Sequence, residues 1–218
     1  MFKLSHFQWF VHIGSWIPLA VLIYDYLQGN LTANPIQAVE QRTGLIAINW
    51  LMFSLSCTPL NTLFGFRPAI KVRRALGLYA FMYACLHFLT FFFWDYAGNI
   101  TFIWMDVNNK LYIFVGAAAL LTLIPLALTS TKSSMRRLGK RWKRLHKLVY
   151  ATGILVVLHY IWAVKADIRL PLAYGAVLLF LLLVRWPAFR RLITRKRSDW
   201  FPRVRQHFTS NPSAPEIK

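Results

Sequence analysis

The chain has 218 residues, of which 57% are hydrophobic, with 17 Phe, 9 Trp and 9 Tyr, a mean hydropathy of +0.43 and a formal net charge of +19. So apolar a composition excludes a water-soluble fold and leaves one built for a bilayer. The charge invites a nucleic-acid partner, but its placement along the chain, taken up below, excludes one.

Six apolar stretches approach the length of a membrane span: Phe7–Leu27, Gly44–Phe64, Ala75–Trp94, Leu111–Thr129, Leu148–Val164 and Leu170–Trp186. Backbone groups in lipid must be satisfied within their own segment, and no period-2 alternation signals a barrel, so each stretch predicts a helix. The first is preceded only by Lys3 and followed by no small-x-small cleavage site, which favours a retained span over a signal peptide. The expected fold is all-α and integral to the membrane, a six-helix bundle over residues 1–187, followed by a basic tail over 188–218. No internal repeat and no second domain are visible. The tail is too short for a nucleotide- or flavin-binding domain. The two cysteines, Cys57 and Cys85, both fall inside expected spans and provide neither a disulfide framework nor a zinc spacing; the absence of C-x-x-C-H excludes covalent c-type haem.

With the amino terminus inside, 22 of the 26 lysines and arginines fall on one side: Lys3, the Arg67–Arg74 loop, the Lys132–Lys147 loop and everything from Arg185 onward. The opposite side holds Arg42, Lys110, Lys165 and Arg169 with Asp25, Glu40, Asp95, Asp106 and Asp167. This is the positive-inside pattern, which places both termini in the cytoplasm. The basic loops then serve orientation and contact with anionic headgroups of the bilayer, and no nucleic acid is implied.

Ionisable side chains at membrane depth are costly and commonly functional. Of six histidines, His6 and His207 flank the spans, leaving His12, His87, His146 and His159. At 1.5 Å per residue, His87 lies ~20 Å beyond the basic edge at Arg73 and Arg74, and His159 lies ~20 Å beyond His146. The two therefore share a depth near the outer leaflet on two outward-running helices, as the axial ligands of one planar macrocycle would. Each also reads as a packing residue bonded to a carbonyl one turn away. His146 is harder to place, since thirteen residues on an ideal helix put it ~140° from His159 in azimuth. Gly153 between them offers a site for a compensating bend. Arg73, ~40° off the face of His87, points toward the same cavity. An inner cofactor would then have His146 on one side and Arg73 or an imported ligand on the other, with His12 the other candidate nearby. Arg73 reads equally as a positive-inside anchor or as a partner for a haem propionate, a quinone or a flavin phosphate.

The stretches "RRALGLYAFMYACLHFLTF" (Arg73–Phe91), "LTSTKSSMRRLGKRWKRLHKLVY" (Leu128–Tyr150), "HYIWAVK" (His159–Lys165) and "VHIGSWIPL" (Val11–Leu19) resemble the MsrQ (YedZ) family. These are the haem-binding membrane subunits of bacterial periplasmic methionine sulfoxide reductase systems, within the ferric-reductase-like transmembrane superfamily. The resemblance implies six helices in the bacterial inner membrane and b-type haem. It also implies electron delivery to a molybdopterin-containing periplasmic reductase that repairs oxidised methionine, with FMN and the quinone pool, or a cytosolic flavin reductase, upstream. His87, His146 and His159 fall on the family's haem-associated histidines, Arg73 on its associated arginine, and His12 on a histidine of the same first-span context. Superfamily members with two haems carry a histidine pair on each of two helices. Arg73 replaces one of those four here, so one haem and two haems both stay open. On this reading the chain is an electron-transfer subunit and does not itself act on methionine sulfoxide. A ferric or cupric reductase of the same superfamily, and a non-redox transporter or scaffold, are the rival readings.

The charge asymmetry has a direct test. A reporter active only in the cytoplasm should work when fused after Lys147 or at the carboxyl terminus and fail in the Gly98–Asn109 loop; activity in that loop would reverse the orientation.

Overall fold

The computed structural model describes residues 5–164, 166–187 and 189. Regular structure among them is helical: α1 (His6–Leu27), α2 (Pro35–Phe64), α3 (Arg67–Leu89), α4 (Ile100–Val107), α5 (Leu111–Leu128), α6 (Lys132–Leu138), α7 (Lys140–Leu145), α8 (Leu148–Ala163) and α9 (Arg169–Arg185). Local sequence sets the boundaries. Ser5 and Gln8 form a capping box at the start of α1. Asn34 caps α2, whose first residue is Pro35, and Gly65 ends it in the left-handed region at φ 69°. Asn99 and Thr131 cap α4 and α6.

Five helical stretches are long and apolar enough to cross a membrane: His6–Leu27, Pro35–Phe64, Arg67–Asp95, Leu111–Leu128 and Lys140–Ala163. Where the sixth span is expected the chain forms α9, a helix of 17 residues, ~25 Å long by its rise, which is not one of those five. Two boundaries differ from the sequence reading for the same reason. α2 begins at Pro35 rather than Gly44, and α3 at Arg67 rather than Ala75, because charged residues continue a helix beyond the apolar core of the membrane. The early start of α2 carries Glu40 and Arg42 into the helix, and Arg42 pairs there with Asp25 at the end of α1. The Lys132–Lys147 loop is folded into the short basic helices α6 and α7. The expected tail, 188–218, lies outside the described residues except for Phe189.

α2 is the axis of the bundle. Its Ile48, Leu51, Met52 and Leu55 are buried against Ala80 of α3, Val157 of α8, and Leu178 and Leu181 of α9. A second cluster joins Cys57 of α2 to Ala69, Val72 and Leu76 of α3, with Phe7 and Val11 of α1 against it. Phe10, Ile13, Ile17 and Val21 of α1 and Leu179, Phe180 and Leu183 of α9 are exposed, the apolar outer surface a bilayer would cover. Lipid tails are as apolar as these side chains, so close packing and interhelical hydrogen bonds must hold the helices together. The Tyr83 hydroxyl, fully buried, donates to the Ser15 carbonyl at 2.7 Å and ties α3 to α1. Thr122 and Thr152 share a 2.7 Å hydroxyl contact between α5 and α8, and Tyr174 of α9 donates to Asn49 of α2 at 2.7 Å.

Removing the Tyr83 hydroxyl isolates that first link. Tyr83→Phe should lower stability in detergent by about 0.5–2 kcal/mol, read as a fall in the thermal unfolding midpoint with unchanged helicity. An unchanged midpoint would show that the α1–α3 contact rests on packing alone.

Candidate functional site

Two helix pairs build the site. α2 with α3 forms the most extensive interface in the bundle, and α5 with α8 the next. In the first pair His87 of α3 donates Nδ1–H to the Glu40 carbonyl of α2 at 2.9 Å. In the second, His159 of α8 donates Nδ1–H to the Tyr112 carbonyl of α5 at 2.7 Å. A carbonyl can only accept, so both rings carry their proton on Nδ1 and leave the Nε2 lone pair open, the form that binds metals.

Each ring also rests against a glycine four residues after its carbonyl. A Cβ on Gly44 would stand 3.2 Å from His87 Nδ1, and one on Gly116 would stand 2.8 Å from Nδ1 and Cε1 of His159. The sequence shows no repeat, yet this carbonyl–glycine–histidine arrangement occurs twice, with the histidine 47 residues after the carbonyl each time.

The two rings meet at the centre. Their centroids are 6.1 Å apart with the planes at 78°. Two metal–nitrogen bonds of about 2 Å, with about 1 Å from each nitrogen to its ring centre, give about 6 Å between centroids. The centroid separation therefore matches that of two imidazoles on one iron. No group of three His, Cys, Asp or Glu suited to a bare metal ion occurs among the described residues; two ligands suffice where a macrocycle supplies the others. Beyond His87 the helix widens into a π-helical segment, Thr90–Asp95, a distortion often found at functional sites. Above it, Asp106 accepts from Tyr96 and from Lys110, each at 2.6 Å. These bonds, Lys110 first, hold the Asp106 carboxyl below its ordinary range, and the Asp106 bond raises Lys110. Glu40, which the sequence placed in the outer loop, sits in α2 with its Oε1 buried and unbonded.

At the basic end of the bundle the helix carrying His146 does not break at Gly153. It breaks at His146 and Lys147, between α7 and α8. Gly153 instead lets α9 approach, a Cβ there falling 3.0 Å from Leu178 Cδ1. His146 stacks on Trp142 with centroids 3.9 Å apart, and its Nε2 is 3.1 Å from Thr129 Oγ1. That hydroxyl gives its proton to the Pro125 carbonyl at 2.6 Å, so Nε2–H is the donor to it and Nδ1 is the open nitrogen. His146 thus has the opposite tautomer to the outer pair. Arg73 donates to Thr58 Oγ1 at 3.1 Å, and its carbonyl accepts from Ser54 at 2.9 Å. Its charge is near enough to act on His146. His12 is not brought to this group: it bonds the Tyr79 hydroxyl at 2.9 Å on the seam between α1 and α3, and no hydrogen bond or ring contact joins it to another histidine.

Sequence reasoning located the four side chains but missed Gly44, Gly116 and their carbonyl partners. The equal histidine–glycine separations were the available signal.

A family model described as "Ferric reductase like transmembrane component" matches residues 42–157, which include Gly44, Arg73, His87, Gly116 and His146. A relative from Xanthomonas oryzae pv. oryzae, the "Protein-methionine-sulfoxide reductase heme-binding subunit MsrQ", is 42% identical over 192 residues, covering 85% of this chain and 87% of its own. Its namesake from Xanthomonas campestris pv. campestris is 43% identical over 192 residues with the same coverage. The protein of that name from Rhodospirillum rubrum is 44% identical over 183 residues, 83% of this chain and 88% of its own. No solved structure matches.

The two glycines differ in how closely they hold their rings, which predicts an order of effect. Gly116→Ala should displace His159 and weaken binding of an added iron porphyrin more than Gly44→Ala, which displaces His87 less. Equal iron porphyrin binding in both variants and the wild type would show that the glycines do not set the rings.

Proposed function

The chain belongs to the ferric-reductase-like transmembrane family and to the MsrQ heme-binding subunits within it, and on that premise we propose that it is the haem b electron-transfer subunit of a protein-methionine-sulfoxide reductase system. It takes electrons from a cytoplasmic or quinone-pool donor and delivers them to a periplasmic molybdopterin-containing reductase that repairs oxidised proteins. Six spans, counting α9, cross the bacterial inner membrane with both termini in the cytoplasm.

One observation carries this reading: two imidazoles of the same tautomer, from separate helix pairs, meet at 6.1 Å. His87 and His159 would hold the haem iron, which when bound supplies a one-electron couple at nearly constant geometry. The protein's part is positional. The Glu40 and Tyr112 carbonyls fix each ring's tautomer and increase the basicity of Nε2. The glycines let each ring lie against the neighbouring helix, and the pair sits part-buried between α2, α3, α5 and α8. Because the rings are anchored to backbone, little reorganisation accompanies a change of iron charge. His146 and Arg73 would serve an inner station near the cytoplasmic face, toward the donor.

Pyridine haemochrome assay per polypeptide, with absorption spectra, tests the assignment. His87→Ala and His159→Ala should each abolish the low-spin bis-imidazole spectrum while the protein still inserts. A retained bis-histidine spectrum in either variant would refute it.

A further inference from the structure

Arg185 ends α9 at the basic side of the bundle, where the sequence marks it only as a positive-inside residue. The structure gives it a more specific place. Its Nη2 donates to the Leu55 carbonyl of α2 at 2.5 Å and its Nη1 to the Tyr150 hydroxyl of α8 at 2.9 Å. The guanidinium carbon also lies 5.3 Å from the centre of the Tyr150 ring. Its Nε is buried with no hydrogen-bond partner. A guanidinium anchored on two sides still has hydrogen-bonding capacity left over.

Arg73 approaches the same turn of α2 from α3. It bonds Thr58, three residues beyond Leu55, and both arginines are near enough for their charges to act on Cys57 between them. The ion pairs among the described residues are Asp25–Arg42, Asp106–Lys110 and Asp167–Arg169, all on the outer side. Neither Arg73 nor Arg185 has a carboxylate partner among those residues. Two part-buried guanidiniums on one stretch of α2 have given up part of their hydration, so an anion beside them is favoured.

We propose that Arg185 and Arg73, on either side of the Leu55–Thr58 turn, form a clamp for an oxyanion group of a cofactor bound at the inner station, with Tyr150 steering Arg185. The ligand chemistry is a carboxylate or phosphate on a planar redox group, as in a haem propionate or a flavin mononucleotide phosphate. Both present oxygens that a planar fork can take in pairs, which an ammonium cannot. The proposal rests on the inner-station reading for the identity of the cofactor but not for the existence of the clamp. His146, one turn from Tyr150 across the helix break, lies on the Arg73 side of that space.

The test is a cofactor inventory of the purified full-length protein: haem by pyridine haemochrome, flavin by fluorescence after acid extraction, and retained phospholipid phosphorus. Arg185→Gln keeps hydrogen-bonding capacity but loses charge, and should weaken retention of one cofactor on the order of tenfold while the outer low-spin spectrum persists. A loss in haem identifies a propionate and a loss in flavin identifies a phosphate. Arg185→Lys, the variant to use should the glutamine protein fail to accumulate, keeps the charge without the fork and should show a smaller loss of the same cofactor. An unchanged inventory in both variants, or a loss confined to phospholipid phosphorus, would overturn the clamp. His146→Ala separates the two ideas. Cofactor lost with Arg185→Gln but retained, and reduced at the wild-type rate, in His146→Ala leaves the clamp standing without His146; the reverse pattern leaves the station standing without the clamp.

Discussion

A helix carbonyl in lipid already accepts one hydrogen bond from the amide four residues on, and its second lone pair is ordinarily shielded by that residue's side chain. Cα–Cβ bonds tilt toward the amino terminus of a helix, so the Cβ at i+4 leans over the carbonyl at i. Glycine at i+4 uncovers it. Gly44 exposes the Glu40 carbonyl and Gly116 exposes the Tyr112 carbonyl, and in both places a histidine from the next helix fills the gap. A buried imidazole N–H must find an acceptor where there is no water. The arrangement answers that need and leaves Nε2 free. Helix spacing, ring orientation and tautomer are all determined by this contact, and the 6.1 Å meeting of the rings follows from having it twice.

How far this was legible in the sequence depends on the kind of signal. Spans are long-range averages of apolarity, so the approximate positions of the helices were readable: five of the six stretches are long and apolar enough to cross a membrane, and α5, α8 and α9 lie within one residue of the expected ends. Depth was readable as well, because helical rise is constant: His87 and His159 were placed level and they meet. Azimuth was not. It assumed an unbroken helix from His146 to His159, whereas the chain breaks at His146 itself. No glycine or proline marks that break; His146 and Lys147 are held by Trp142, Thr129 and the turn bonds that close α7. Glycines that act by lacking a Cβ leave no periodic trace either, and they show only when the partner ring is seen against them.

The two ends of the bundle are polar in different ways. The outer histidines are bonded to neutral carbonyls, and the nearby charges at Asp106 and Lys110 compensate each other. The basic end has a histidine of the other tautomer, two arginines and several hydroxyls, with no carboxylate against either arginine among the described residues. If the basic side needed only positive charge, lysines at the membrane surface would supply it with full hydration. Arg73 and Arg185 instead have donors bound to Thr58, Leu55 and Tyr150 inside the bundle.

That placement gives up hydration for geometry. A guanidinium with its stem and two donors fixed has lost most of its rotamer freedom before any ligand arrives, so an incoming oxyanion pays little further ordering cost. The outer rings show the same economy, since each is held by its Nδ1 bond and its glycine. Both ends therefore present preorganised donors or lone pairs, neutral where an iron would be coordinated and cationic where a negatively charged edge would lie. A planar cofactor is defined by those two features, its metal or ring face and its charged rim. A bundle that holds such a cofactor within a bilayer must fix both without help from water.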